Sequence, residues 1–199
     1  NIASPVFAIF FSIALMIGMG GATLYSIALG KQDIKRAQEI FSQSIILIVV
    51  WVILLSGLSV WMIKPLAYVL GANEAVLPYV LDYLSIILTF SVVFVLENVI
   101  SIFIRNDGNP NLSMAGLITT SILNIFLNYL FLFVFHLGIK GSALATVVSS
   151  GIGLIVLMTH FFRKNRTLKW VPVKFQLNLV QNILTVGFPS FATECSVLI

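Results

Sequence analysis

The chain has a single cysteine, Cys195, in 199 residues, which excludes an internal disulfide framework and a cysteine-rich metal site. Charge is equally scarce. Asp, Glu, Lys and Arg make up 9% of the residues, against roughly 25% in a soluble domain, so a water-soluble core is excluded. Disorder is excluded too, since it requires high charge and low hydrophobicity. No block of like charge is present to match a nucleic-acid backbone, so no nucleic-acid partner is expected. The chain also lacks a phosphate-binding glycine loop, an HExxH pair and a Ser/His/Asp order, so it is not expected to be an enzyme. What it has instead is apolar: 59% hydrophobic residues, with a mean hydropathy of +1.08. This is the composition of an integral membrane protein.

The gaps between charges locate the spans. A bilayer core about 30 Å thick needs about 20 apolar residues in a helix. Pro5–Ala28 precedes the first charge, Lys31, and forms helix A; Phe41–Ile63, between Glu39 and Lys64, forms helix B. Val76–Ile104 forms helix C despite Asp82 and Glu97, because the rest of it is strongly apolar. Leu112–Phe135 and Gly141–Phe162 form helices D and E, and an apolar run from Leu177 to Ile199 begins helix F. Breakers at Gly71-Ala-Asn, Asp107-Gly108-Asn109-Pro110 and Gly138–Gly141 separate spans, and Gly30–Ile40 reads as a solvated connector. The runs are about twice the length of a barrel strand and do not alternate. The expected class is all-α, a polytopic transmembrane bundle.

Orientation follows from the basic residues. Loops A–B, C–D and E–F hold three, one and five Lys or Arg, whereas loops B–C and D–E hold only Lys64 and Lys140. The first set of loops is therefore cytoplasmic, and the net charge of +4 anchors the protein to anionic lipid. Asn1 is not a methionine, and Ile199 falls inside an apolar run. The chain is accordingly expected to be a piece of a longer multispanning protein.

Polar side chains within the spans are the functional candidates. Glu97 lies roughly 10 Å deep from the cytoplasmic end of helix C, where an ionised acid facing lipid costs at least about 2.5 kcal/mol. It can be a protonated carboxyl bonded to Ser or Asn on a neighbouring helix, or a proton carrier or substrate contact. Asp82, near the outer interface, can simply be hydrated. On helix D, Ser121, Asn124 and Asn128 share one face. Asn124 and Asn128 serve either interhelical hydrogen bonding or a common ligand. Asn128, Asn124, Thr146 and Tyr83 fall at similar depth in the outer half, and such an oxygen set suits a small hard cation or a proton. Small residues at Gly18, Gly20 and Gly21, and from Ser142 to Gly153, suit close helix packing. On helix F, Gly187-Phe188-Pro189 precedes Glu194 and reads either as a kink beside an acid or as a plain structural kink. His136 and His160 read as interfacial.

Several stretches together resemble the multidrug and toxic compound extrusion (MATE) transporters. They are Gly30-Lys-Gln-Asp33 with Ala37 and Phe41, Leu70-Gly-Ala72, Arg105-Asn-Asp-Gly-Asn-Pro110 and Asn124-Ile-Phe-Leu-Asn128-Tyr129. Gly138-Ile-Lys-Gly141-Ser-Ala-Leu-Ala-Thr146 and Gly187-Phe-Pro189 with Glu194 continue the likeness in order. The resemblance implies spans two to six and part of seven of a twelve-span protein. Residues 1–162 would be five helices of an incomplete N-terminal lobe, 163–176 a cytoplasmic inter-lobe loop, and 177–199 the start of the first C-lobe helix. It further implies a multi-pass cell-membrane exporter that exchanges cationic or amphipathic drugs for Na⁺ or H⁺ by alternating access, with no cofactor beyond that ion. The coupling site would comprise Tyr83, Asn124, Asn128 and Thr146. Asn124, Asn128 and Thr146 would bind Na⁺ where Na⁺ is the ion, and Glu97 and Glu194 would hold protons or attract substrate in the cleft. Many relatives have Asp where this chain has Asn128, which removes a titratable group. The site's other acid would come from the first span, outside this chain, and function would need that span and the C-lobe. A lipid-linked precursor flippase of the same superfamily is the alternative, but it requires a basic cleft, and the spans hold no mid-membrane Lys or Arg.

Overall fold

A computed structural model describes residues 4–163 and 166–196, which excludes Lys164 of the basic loop and the last three residues of the apolar run. The described elements are α1 (Ser4–Gly30), α2 (Ile34–Trp61), α3 (Ile63–Val69), α4 (Leu77–Thr89) and α5 (Ser91–Asn106). They continue with α6 (Pro110–Tyr129), which ends in a π-helical turn over Leu130–Val134. Next come α7 (Gly138–Met158), closed by a 3₁₀ turn over Thr159–Phe162, and α8 (Leu177–Ser196). No strand occurs among the described residues.

Four helices are long and apolar enough to cross a bilayer: α1, α2, α6 with its π turn, and α7 with its 3₁₀ turn. They match helices A, B, D and E. Helix C differs from expectation. It is broken at Phe90 into α4 and α5, which meet at 49°, and the pair together counts as the fifth span. No proline or glycine marks the break. Instead the Leu88 carbonyl accepts from Ser91 Oγ at 2.8 Å and from Ser56 Oγ of α2. Hydroxyls that take a helix carbonyl in this way substitute for the ladder bond lost at a bend. Helix F differs as well. Over its described residues α8 does not reach spanning apolarity, because Asn178, Gln181 and Asn182 crowd its first turns, and it runs as one helix through Pro189.

The Gly30–Ile40 connector is also shorter than expected. Asp33 Oδ1 accepts the Arg36 amide at 3.0 Å and caps α2, so helix begins at Ile34 and carries the charged residues beyond the apolar stretch. Asp82 and Lys140 form a 3.2 Å ion pair, which places the B–C and D–E ends on the same side of the bundle. At the opposite, basic end, Asp107 of the α5–α6 loop bonds both Tyr25 near the end of α1 and His160 after α7. His160 lies at this basic end and is buried in protein there, 2% exposed.

α5 lies at the centre, packed on α1 and α2 on one side and on α6 and α7 on the other. α6 is outermost, and its Met114, Ile118, Ile122, Ile125 and Tyr129 form an exposed apolar stripe suited to lipid. α8 lies along α1. The two backbones touch where Gly20 meets Gly187: a Cβ on Gly187 would collide with the Met16 carbonyl, and one on Gly20 with the Ile183 carbonyl. Small residues allow this approach, as the glycines of helix A led us to expect. Backbone cannot move aside as a flexible side chain can, so Gly187→Ala is expected to cost about 1–3 kcal/mol. The thermal midpoint of the purified intact protein should fall accordingly. Gly57→Ala, inside α2 where an added Cβ meets nothing within 4 Å, should not lower it.

Candidate coupling site

The inner face of α6 carries Ser113, Gly116, Thr120, Asn124 and Asn128, at the three- and four-residue spacing that stacks side chains along a helix. Ser113 Oγ lies 2.7 Å from Ser101 Oγ of α5 in a buried hydroxyl pair. Above it, Gly116 admits Leu157 of α7: a Cβ there would come within 2.6 Å of the leucine side chain. Ser121 was expected on this face but is exposed, and its hydroxyl donates to the Leu117 carbonyl of its own helix at 2.9 Å. Thr120 takes its place, one position back and turned inward.

Asn124 is the hub. Its Nδ2 donates to Thr146 Oγ1 at 3.3 Å and to Ser149 Oγ at 3.4 Å, both on α7. Asn128 Nδ2 in turn donates to Asn124, at 2.9 Å to the carbonyl and 3.1 Å to Oδ1. Asn124, Asn128 and Thr146 thus meet across the α6–α7 interface, as their depth alone did not establish. Each is half-buried rather than sealed, so their oxygens remain approachable.

Glu97 is 2% exposed on α5. Thr120 Oγ1 donates to its Oε1, and Ser150 of α7 hydrogen-bonds the same carboxyl. Gly153 makes room for the acid, since a Cβ there would overlap both Thr120 Oγ1 and Glu97 Oε1. Thr120 Oγ1 also lies 3.4 Å from the Ser149 carbonyl, while Ser149 Oγ accepts from Asn124. Glu97 and the asparagine pair therefore belong to one chain of polar contacts, not to two separate features. Thr120 is not among the residues singled out from the sequence, and Ser149 figures there only as a small packing residue. The signal that would have picked them out is that each lies one helical turn from a residue already singled out.

The MatE family model matches residues 1–130. The chain belongs to the MatE family. It is 30% identical to the multidrug export protein MepA of Staphylococcus haemolyticus, over 96% of this chain and 43% of that protein. With MepA of Staphylococcus aureus the identity is 26%, over 96% of this chain and 43% of that one. Two solved MATE family transporters of the MOP superfamily share the fold. An inward-facing one is 23% identical, with a TM-score of 0.89 over 97% of this chain and 44% of that chain. An outward-facing one is 24% identical, with a TM-score of 0.86 over 96% and 43%. The chain spans less than half the length of the curated relatives it matches.

In this MatE chain the other expected site residues, Tyr83 and Glu194, make no hydrogen bond to the hub among the described residues. Tyr83 on α4 packs its ring 6.4 Å from that of Phe7 on α1, and no hydrogen bond joins it to Asn124, Asn128 or Thr146 among the described residues. Glu194 is half-buried on α8, which packs on α1 and α2 on the far side of α5 from α6. Pro189 lies on the same helix, and Thr193 Oγ1 donates to its carbonyl at 2.9 Å. The tie between Glu97 and the hydroxyls of α6 and α7 gives a test of its structural share. Glu97→Gln keeps an acceptor for Thr120 and Ser150, so the thermal midpoint of the intact protein should barely move. Glu97→Leu strands both hydroxyls and should cost about 1–3 kcal/mol.

Proposed function

We propose that the chain forms part of a secondary-active multidrug exporter in which the α5–α6–α7 polar chain couples drug export to an inward ion gradient. The observation that carries the reading is the contact sequence Glu97–Thr120–Ser149–Asn124, with Thr146 and Asn128 branching from Asn124, which links three membrane-spanning segments through polar side chains. Glu97 is its only ionisable member. The names of the MepA relatives, multidrug export proteins, agree with the reading.

The chemistry assigns two roles. Asn124 Oδ1, Asn128 Oδ1 and Thr146 Oγ1 are neutral oxygens of the kind that replace part of the hydration shell of Na⁺. Asn128 Nδ2 occupies Asn124 Oδ1, so an entering cation displaces that bond and turns the Asn128 amide. Glu97, joined to the same chain through Thr120, supplies the proton-carrying group that Asn128 does not. With Na⁺ as the ion, the carboxylate adds charge behind the neutral shell; with H⁺, it is the carrier itself. The ion shifts the transporter between inward- and outward-open forms only by binding one of them more tightly. Tyr83, on α4, which packs on α7, is the further candidate for the ion site, and Glu194 on α8 is the candidate to hold a proton or attract cationic substrate. The exported compounds are cationic or amphipathic.

Drug efflux by cells expressing the intact protein, under separately imposed Na⁺ and H⁺ gradients, tests the proposal. Asn124→Ala should reduce gradient-driven efflux at least tenfold with membrane insertion intact. Glu97→Gln should abolish the H⁺-driven part and leave any Na⁺-driven part. Unchanged efflux in Asn124→Ala would overturn the coupling role.

A further inference from the structure

At the basic end of the bundle a second acid is buried, and the coupling site makes no use of it. The Asp107 side chain is 1% exposed and is reached by three donors from three parts of the fold. Tyr25 O–H at the end of α1 donates to Oδ1 at 2.6 Å. His160 Nε2, in the 3₁₀ turn after α7, lies 2.7 Å from Oδ2, and the backbone N–H of Leu168 donates to the same oxygen at 3.3 Å. His160 Nδ1 meets Asn109 Nδ2 at 3.2 Å, and since that amide nitrogen only donates, Nδ1 accepts and Nε2 carries the proton. An ionised carboxylate is acceptor-only, and these donors use both of its oxygens.

Leu168 belongs to an extended strap, residues 166–176, that leads from the end of α7 to α8. Its side chain is fully buried. The rest of the strap is tied to α2: Gln38 Nε2 donates to the Thr167 carbonyl at 3.0 Å, and the Val171 amide donates to Ser42 Oγ at 2.9 Å. Gln43 Nε2 donates to the Gln176 carbonyl at 2.8 Å, and Arg36 Nη1 reaches the Gln176 side chain at 2.9 Å. The ties to α2 come from neutral or exposed groups. Asp107 alone brings a buried charge and joins the strap to α1, α5 and α7 together. A buried charge held by several donors is the costliest tie to break, because each released donor is left unpaired beside it.

We propose that Asp107 is a latch: a positioning residue that, through Tyr25, His160 and the Leu168 amide, docks the 166–176 strap on the basic end of the bundle, so that losing this one carboxylate frees the connection into α8. The latch makes the ends of α1, α5 and α7 and the start of the strap a single rigid unit. Its purpose is mechanical, and it holds whatever ion or compound the protein carries.

Hydrogen–deuterium exchange on the intact protein, purified in lipid nanodiscs, reads the latch directly. In Asp107→Asn, peptides covering residues 166–176 should exchange at least tenfold faster, while peptides from the middle of α1, α5 and α7 keep their rates. Asparagine offers one acceptor oxygen in place of two and turns a donor toward Tyr25 or His160. Ser42→Ala removes only the Val171 tie and should accelerate that amide alone. Unchanged strap exchange in Asp107→Asn would overturn the latch. So would an equal rise throughout the bundle, which would make Asp107 a general stability residue. Should that variant not fold, Tyr25→Phe removes one of the three donors. It should raise strap exchange about threefold with the same confinement, and no rise would overturn the proposal.

Discussion

A carboxyl group in an apolar helix bundle has to be satisfied by the protein, because lipid offers it nothing. That constraint organises this molecule twice. Glu97 draws a hydroxyl from α6 and another from α7, and the cavity it needs exists because residue 153 has no Cβ. Asp107 draws a phenol, an imidazole and a backbone amide from three separate elements. Packing around these acids is correspondingly specific. The stripe of small residues on α7, from Ser149 through Ser150 to Gly153, faces Glu97 and its partners, so it serves polar recognition as much as close approach.

The spans were legible because charge is so scarce that, Asp82, Glu97 and Glu194 aside, the charged residues mark boundaries, and four helices plus the bent pair follow the gaps. Loop chemistry was legible too. Gly71 and Gly108, expected as breakers, adopt φ of 91° and 82°, where a side chain would be strained. The pairing of Asn124 with Asn128 followed from their one-turn spacing, whereas depth put Thr146 only at a matching level. What the sequence withheld was the partner across an interface. Thr120 and Ser121 differ by 100° around α6, and only packing decides which turns inward. The break at Phe90 has no local signal, since the hydroxyl that supports it from outside, Ser56, is 32 residues away from the Leu88 carbonyl it bonds. His160 and Asp107 are 53 residues apart, so a search for acids at local ligand spacing passes over them.

The two polar networks share their framework. α5 carries Glu97 and leads into Asp107 ten residues later, roughly 15 Å along the axis. α7 carries Thr146, Ser149 and Ser150 and leads into His160. Two stiff helices are thus pinned to each other near mid-membrane by the carboxyl of Glu97 and again at the basic end by that of Asp107. A slide of α7 past α5 that relaxes one pin must strain or break the other, because packed helices do not stretch.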